Sequence, residues 1–386
     1  FIVSPVESSK LIGIPGGGKS TCISEYVIHK KTMKILYDRE ILCVVFNKKA
    51  QLSLFEKLKD YNMNNFVKTF DSVSESFKKE NNINISTPKD FEILSDDEKN
   101  NYHNGVKKKC ELLLDNSDTT INFCKYIKVI IVDEAQDMNK TEFSIISKIS
   151  KKLNDIPIIL VGDSNQCIYN SLKNSDASFL EDYKGKTYNL VINYRSTKQI
   201  VDFSRCYQGI NNEIESGVLE NGSKPKYIIS ENDYETKYHI LNLIKSKIQQ
   251  GIKLSEISII VPFKKHGAEI CKNIKREKIN ANNFCNPNIK GSKEGINIYT
   301  YHKSKGLEFK IVILYNFHNW YKFSDNPDEL LNLKFVGITR AEKELHMYYT
   351  KYDLIPKKNG DMWNKLVNEC NIIKTIPRAL YDIEYI

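Results

Sequence analysis

The stretch that most restricts what this chain can become is Gly13-Ile14-Pro15-Gly16-Gly17-Gly18-Lys19-Ser20, which satisfies the pattern G-x-x-x-x-G-K-[ST] in full. The apolar pair Leu11-Ile12 precedes it, and a helix-like run to Val27 follows. Strand, glycine-dense turn and helix start are the parts of a phosphate cradle. Glycines let backbone N–H groups turn inward, and the helix N-terminus adds positive potential. In such a cradle Lys19 sits on the β- and γ-phosphates and Ser20 holds Mg²⁺, while Gly13, Pro15, Gly16, Gly17, Gly18 and Thr21 complete the nucleotide-binding set. A plain glycine turn would also join a strand to a helix, but the full match in this context favours a bound nucleotide.

Further along, Ile41–Phe46 is expected as a buried strand followed by a helix to about Leu58, and Phe66–Ser72 as a short strand with a polar end. Residues 73–128 are polar and weakly periodic, with Asn81-Asn82 and Ser95–Glu98 as helix starts, and suggest a small helical insertion. Val129–Val132 ends in Asp133-Glu134-Ala135-Gln136-Asp137 and a helix through Ser150; Ile158–Val161 ends in Gly162-Asp163. Apolar strands alternating with helices, each strand closing on polar residues, predict an α/β fold with a doubly wound parallel sheet and its ligand at the strands' carboxyl ends.

A second set starts near Leu190. Strands are expected at Tyr227–Ile229, Ile257–Val261, Ile296–Thr300, Ile311–Leu314 and Leu345–Tyr349, and helices at Tyr234–Gln250, Ala268–Lys278 and Leu330–Ala341. Residues 207–225 and 286–295 are expected as loops or linkers. The chain of 386 residues is long enough for two such lobes, with boundaries at 1–189 and 190–352 and a tail at 353–386.

Asp133 stands where a second Mg²⁺-orienting carboxylate belongs, and Glu134 beside it is placed to activate water for attack on a γ-phosphate. A solvated acidic pair is the alternative, which the upstream phosphate loop disfavours. Gln166, after Gly162-Asp163-Ser164-Asn165, can reach the γ-phosphate as a sensor, or be an ordinary turn amide.

Lys+Arg 57 against Asp+Glu 48 gives a net charge of +9, which suits an anionic partner and equally a lysine-rich surface. The 9 cysteines form no C-x-x-C pair and have no histidine at zinc spacing, so free thiols in a reducing compartment are expected. No apolar run approaches the roughly 18 residues of a membrane span, and the N-terminus lacks a signal pattern. An intracellular protein is expected, in cytoplasm, nucleus or a viral factory, and opening on Phe1 suggests a trimmed or processed chain.

Taken in order, G-I-P-G-G-G-K-S, V-F-N-K-K-A, K-T-F-D-S, V-D-E-A-Q-D, G-D-S-N-Q-C-I-Y, N-Y-R-S, T-Y-H-K-S-K-G-L-E-F and V-G-I-T-R-A resemble the successive motifs of the UvrD/Rep family of superfamily 1 helicases, from residue 13 to 341. The resemblance implies two RecA-like lobes with ATP and Mg²⁺ in the cleft between them. Arg195 and Arg340 match the two family arginines that reach the γ-phosphate from the second lobe, and Tyr194 matches the adenine-stacking aromatic. Gly306 and Glu308 match positions that touch the phosphates and the ribose. Phe46, Asn47, Thr69, Phe70, Tyr169 and His302 match positions lining a single-strand track, although Phe46 and Phe70 are equally suited to a core.

Departures accompany the matches. Asp71 stands where the family usually has histidine, and would repel a phosphate. Ser171 replaces an aromatic, Leu172-Lys173-Asn174 replaces the usual R-G-A, and Asn286–Gly295 leaves no room for a large second-lobe insertion. The resemblance thus implies a compact, monomeric, ATP-dependent helicase or translocase on single-stranded DNA, 3′-to-5′ in polarity, with a tailed duplex as substrate. A translocase that strips bound proteins without unwinding, a nucleic-acid-binding subunit with a decayed ATPase, and RNA as the track are the alternatives.

Overall fold

A computed structural model describes residues 1–61, 66–85, 87, 88, 91, 94–210, 214–286, 294–317, 326–350 and 376–386. It divides into two compact units, Phe1–Ile14 with Gly18–Leu190 and Pro15–Gly17 with Val191–Ile386.

In the first unit β1 (Ser9–Gly13), β2 (Ile41–Val45), β3 (Val67–Thr69), β4 (Val129–Val132), β5 (Ile158–Gly162) and β6 (Lys186–Leu190) form one sheet in the order β3-β2-β4-β5-β1-β6. Every pairing in it is parallel. A parallel sheet needs cover on both faces, and side chains that alternate along each strand supply two cores. Ile41, Cys43, Val45, Val129, Ile131, Ile159 and Val161 pack with α1 (Lys19–Thr32) and α2 (Lys48–Leu58). Leu42, Val44, Ile130, Val132, Ile158 and Leu160 pack on the other face with α3 (Phe70–Glu80), α4 (Asp96–Leu113) and α5 (Lys140–Lys152). The short helices α6 (Asn170–Lys173) and α7 (Ser178–Glu181) follow β5.

Some sequence expectations change here and one holds. The strand expected over Phe66–Ser72 stops at Thr69, because Thr69 Oγ1 accepts from Ser72 N at 3.1 Å and caps α3, so Phe70-Asp71-Ser72 become its first turn. Asn81 ends that helix instead of starting one, its Nδ2 donating back to Phe77 O at 3.1 Å. Ser95 does open a helix, with Glu98 N donating to Ser95 Oγ at 3.3 Å and Ser95 N to Glu98 Oε2 at 2.9 Å. Residues 73–128 carry most of α3 and all of α4, and Val73, Phe77, Val106, Cys110, Leu114, Cys124 and Ile127 belong to the same core as β4 and β5. α1 runs on to Thr32, past Val27.

In the second unit β7 (Ile192–Asn193) pairs with β8 (Glu215–Ser216). The main sheet takes β9 (Lys226–Ser230), β10 (Ile257–Val261), β11 (Ala281–Asn283), β12 (Ile296–Thr300), β13 (Phe309–Leu314), β14 (Ala341–Thr350) and β15 (Asp382–Tyr385), in the order β11-β12-β10-β13-β14-β9-β15. It too is wholly parallel. The helices are α8 (Lys198–Gln208), α9 (Asp233–Gln249), α10 (Lys264–Arg276), α11 (Tyr301–Ser304) and α12 (Pro327–Ile338). β15 lies in the expected tail and is an edge strand of this sheet; residues 351–375, which include 353–375 of the tail, and 287–293 of the expected linker lie outside the described residues. Among the described residues no helix is long and apolar enough to cross a membrane.

If the 73–128 segment is part of the core, truncating Phe77, which is 1% exposed, should be felt by the whole first unit. Phe77→Ala is expected to lower unfolding free energy by about 3–5 kcal/mol. Chemical denaturation followed by circular dichroism checks this; a loss under about 1 kcal/mol would restore the segment to an accessory role.

Candidate functional site

β1 lies beside β5, and β5 beside β4, all running one way, so their carboxyl ends gather the residues that follow them. Gly18 caps α1 with φ 84 and ψ 22, a left-handed conformation that glycine adopts without strain. A Cβ on Gly13 would fall 2.6 Å from Lys19 Cγ, so only glycine lets this lysine lie back over the strand end. Lys19 is buried, its Nζ donating to Gly13 O at 2.7 Å and Ile14 O at 3.3 Å. Thr21 is exposed, its Oγ1 accepting from Lys57 Nζ at 3.0 Å.

Ser20 Oγ donates to Asp133 Oδ2 at 3.2 Å, and Glu134 N donates to Asp133 Oδ1 at 3.0 Å. Far from a solvated pair member, Asp133 is 6% exposed. Burial, and then the Glu134 carboxylate, push its carboxyl above the ordinary range, while Lys19 pulls it down. A serine hydroxyl and a buried carboxylate are hard oxygen ligands already in contact, and they fit Mg²⁺, which binds through one or two protein oxygens and the phosphates of a nucleotide.

Glu134 has φ 54 and ψ 44, a left-handed turn that a non-glycine side chain enters at a cost. That turn brings its carboxylate to Gln136 Nε2, and Gln136 Oε1 accepts in turn from Asp163 N at 3.0 Å. Gln166 Nε2 donates to Asp163 Oδ2 at 2.7 Å, and Gln166 is 4% exposed. The ends of β4 and β5 are thereby tied through Gln136. The sequence alone marks no role for Gln136, although it lies inside V-D-E-A-Q-D, two residues past Glu134.

In the second unit Arg195 Nε pairs with Glu308 Oε2 at 2.8 Å, and Arg195 Nη1 donates to Thr339 O at 3.2 Å. Gly306, two residues before Glu308, has φ 74. Tyr194 is 66% exposed, leaving its ring open to a planar partner. Arg340 departs from expectation. It is 1% exposed and donates to Val336 O at 2.8 Å, Leu307 O at 3.1 Å and Thr339 Oγ1 at 3.0 Å. Its guanidinium braces the turn between α12 and β14 from inside, and does not project. His302 is half-buried on α11.

Of the residues expected on a single-strand track, Phe46 and Tyr169 meet with ring centroids 4.9 Å apart, and Lys173 Nζ stands 4.2 Å from the Phe46 centroid. Asn47 is exposed and caps α2, its Oδ1 accepting from Ala50 N at 2.9 Å; Thr69 caps α3. Phe70 is a core residue at 5% exposure, packed in the cluster that includes Val44 and Val132, so it offers no ring face to a base. Asp71 is not a bare repelling charge either. It pairs with Lys107 at 2.8 Å, and Lys107 pairs with Glu142 at 2.7 Å. Burial alone would raise the Asp71 carboxyl, yet the Lys107 ammonium holds it below its ordinary value. Lys107 lies in no motif and Lys173 stands where the usual R-G-A is replaced; only folding brings the two together here.

A parallel sheet whose first strand ends in a glycine loop over a buried Lys19, with a serine and an acidic strand end in contact, defines a P-loop nucleotide-binding protein. Comparison with known proteins narrows the class. The AAA domain family matches residues 3–172, and the UvrD-like helicase C-terminal domain family matches residues 188–284 and 282–352. An Acanthamoeba polyphaga mimivirus protein, R568, whose name places it among ATP-dependent DNA helicases, is 29% identical over 335 residues, covering 81% of this chain and 46% of its own. The ATP-dependent DNA helicase PcrA of Staphylococcus epidermidis is 31% identical over 140 residues, covering 34% of this chain and 19% of its own. A DNA helicase II homologue of Mycoplasma capricolum is 30% identical over 160 residues, 39% of this chain and 22% of its own. The chain thus spans less than half the length of these relatives. It belongs to the UvrD/Rep family of superfamily 1 helicases.

Replacing Lys19 by Ala should weaken binding of a fluorescent ATP analogue about 10–100-fold, the worth of charge-assisted hydrogen bonds to phosphate. Glu134→Gln should bind it as wild type does. Equal affinity in Lys19→Ala would remove the loop assignment.

Proposed function

We propose that this chain is the motor of an ATP-dependent DNA helicase or translocase that moves on single-stranded DNA. The observation that carries the proposal is the gathering of Lys19, Ser20, Asp133, Glu134 and Gln166 at the ends of three adjacent parallel strands, connected by Ser20–Asp133 and by Gln136. The relatives, named as ATP-dependent DNA helicases, support the same activity.

In this proposal Lys19 leaves the carbonyls of Gly13 and Ile14 for the phosphates, which offer a charged acceptor in place of a neutral one. Ser20 and Asp133 hold Mg²⁺, which when bound offsets the phosphate charge. Glu134 orients and deprotonates the attacking water, and Gln166 responds to the γ-phosphate. Arg195 is the mobile cation, held by Glu308 until a phosphate competes for it; a cation of this kind contributes about 10³–10⁵ in rate. Buried Arg340 acts as a positioning residue, through Thr339, whose carbonyl receives Arg195. Tyr194 stacks on adenine, Gly306 and Glu308 adjoin the phosphates and ribose, and Phe46, Asn47, Thr69, Tyr169 and His302 bear the strand. Grip that changes as hydrolysis proceeds moves the strand, with 3′-to-5′ polarity.

One observation favours a second reading, a translocase that displaces bound proteins without unwinding duplex. Phe70 is buried and position 171 is serine, so stacking on the first unit falls to Phe46 and Tyr169. Displacement of protein from a single strand, with failure on a tailed duplex, would select it.

ATP turnover measured with single-stranded DNA, duplex DNA and RNA of equal length tests the proposal. Single-stranded DNA should stimulate most. Glu134→Gln should lower the stimulated rate by about 10²–10⁴ and Arg195→Ala by about 10³ or more. Stimulated turnover unchanged in both variants would refute the assignments.

A further inference from the structure

A groove of about 510 Å³ opens on the first unit, lined by four lysines, four asparagines, one glycine and one threonine, with no carboxylate in its lining. The lysines come from three elements: Lys107 and Lys108 from α4, Lys140 from the first residue of α5, and Lys173 from the last residue of α6. Three carboxylates stand behind the lining. Asp71 and Glu142 both pair with Lys107, Glu142 also accepts from Asn139 N at 3.1 Å, and Asp137 is 1% exposed. The buried ammonium of Lys107 is therefore already matched. Lys108, Lys140 and Lys173 are exposed, and neither Lys108 nor Lys140 has an ion-pair partner among the described residues.

Ammoniums that converge from separate elements on one concave surface repel one another unless an anion lies between them. Asparagine amides beside them can donate to phosphodiester oxygens without selecting a base. The groove is also continuous with the aromatic pair, since Lys173 both lines it and places its ammonium over Phe46. We propose that this groove carries the phosphodiester backbone of the single strand whose bases stack at Phe46 and Tyr169. Charge on α4 and α5 then supplies the hold that an aromatic at position 171 would have given. The inference rests on the proposed single-strand function and adds to it a binding surface made jointly by α4, the start of α5 and the end of α6.

The test is fluorescence anisotropy of a labelled oligo-dT with the full chain, from about 50 to 200 mM salt. Each phosphate contact on a single strand contributes about 0.7 to the slope of log affinity against log salt. The double variant Lys108→Ala/Lys140→Ala should therefore lose about 1.4 in slope and bind about 25-fold more weakly near 0.1 M salt. Lys108→Arg/Lys140→Arg should keep both, and an unchanged melting midpoint in each variant shows that the fold is retained. Wild-type slope and affinity in the Ala double variant overturn the groove and leave the proposed function standing. A parallel titration with poly-glutamate distinguishes an acidic protein partner: weakened poly-glutamate binding with unchanged oligo-dT binding also overturns it. A wild-type chain that fails to bind oligo-dT at all removes both the groove and the function beneath it.

Discussion

The contact between Ser20 Oγ and Asp133 Oδ2 joins the start of one helix to the end of a strand two places away in the sheet. It can form only if β1, β5 and β4 point the same way, and a sheet of that kind must be covered on both faces. The alternation of Ile41, Cys43 and Val45 with Leu42 and Val44 meets this demand by feeding two separate cores. A buried carboxylate is costly unless its oxygens are satisfied. Asp133 receives one hydroxyl and one amide, which leaves lone pairs suited to a hard cation.

The second constraint is the left-handed turn at Glu134. A backbone conformation of this kind costs about 1–3 kcal/mol and persists where its surroundings enforce it. Here Glu134 N is held by Asp133 Oδ1 and the Glu134 side chain by Gln136, which is itself fixed to Asp163 N. The turn sets the carboxylate against Gln136, whose own side-chain carbonyl oxygen is held at the end of β5. In the second unit an analogous economy of contacts links Arg195 and Arg340 through the one residue Thr339.

Much of this was legible in the residues. The apolar runs at 129–132 and 158–161 are strands buried throughout, and the glycine loop lies between β1 and α1 with Lys19 donating back to Gly13 O. Other features escaped because sequence gives residue types and not directions. The 73–128 segment looks polar since α3 and α4 turn only narrow apolar faces, Val73 with Phe77 and Val106 with Cys110, toward the sheet. Asparagine both starts and ends helices, so Asn81 was ambiguous. A motif arginine and a motif phenylalanine can each be internal, as Arg340 and Phe70 are. The Asp71–Lys107–Glu142 cluster draws on three helices, and no local pattern could announce it.

The proposed role of Asp133 is to hold, with Ser20, a divalent cation beside the nucleotide. Electron paramagnetic resonance of Mn²⁺ titrated into the chain with ATP measures this directly. Wild type should take up one Mn²⁺ per bound ATP, and Asp133→Asn should bind ATP while leaving the metal free. One tightly bound Mn²⁺ per ATP in Asp133→Asn would contradict the account.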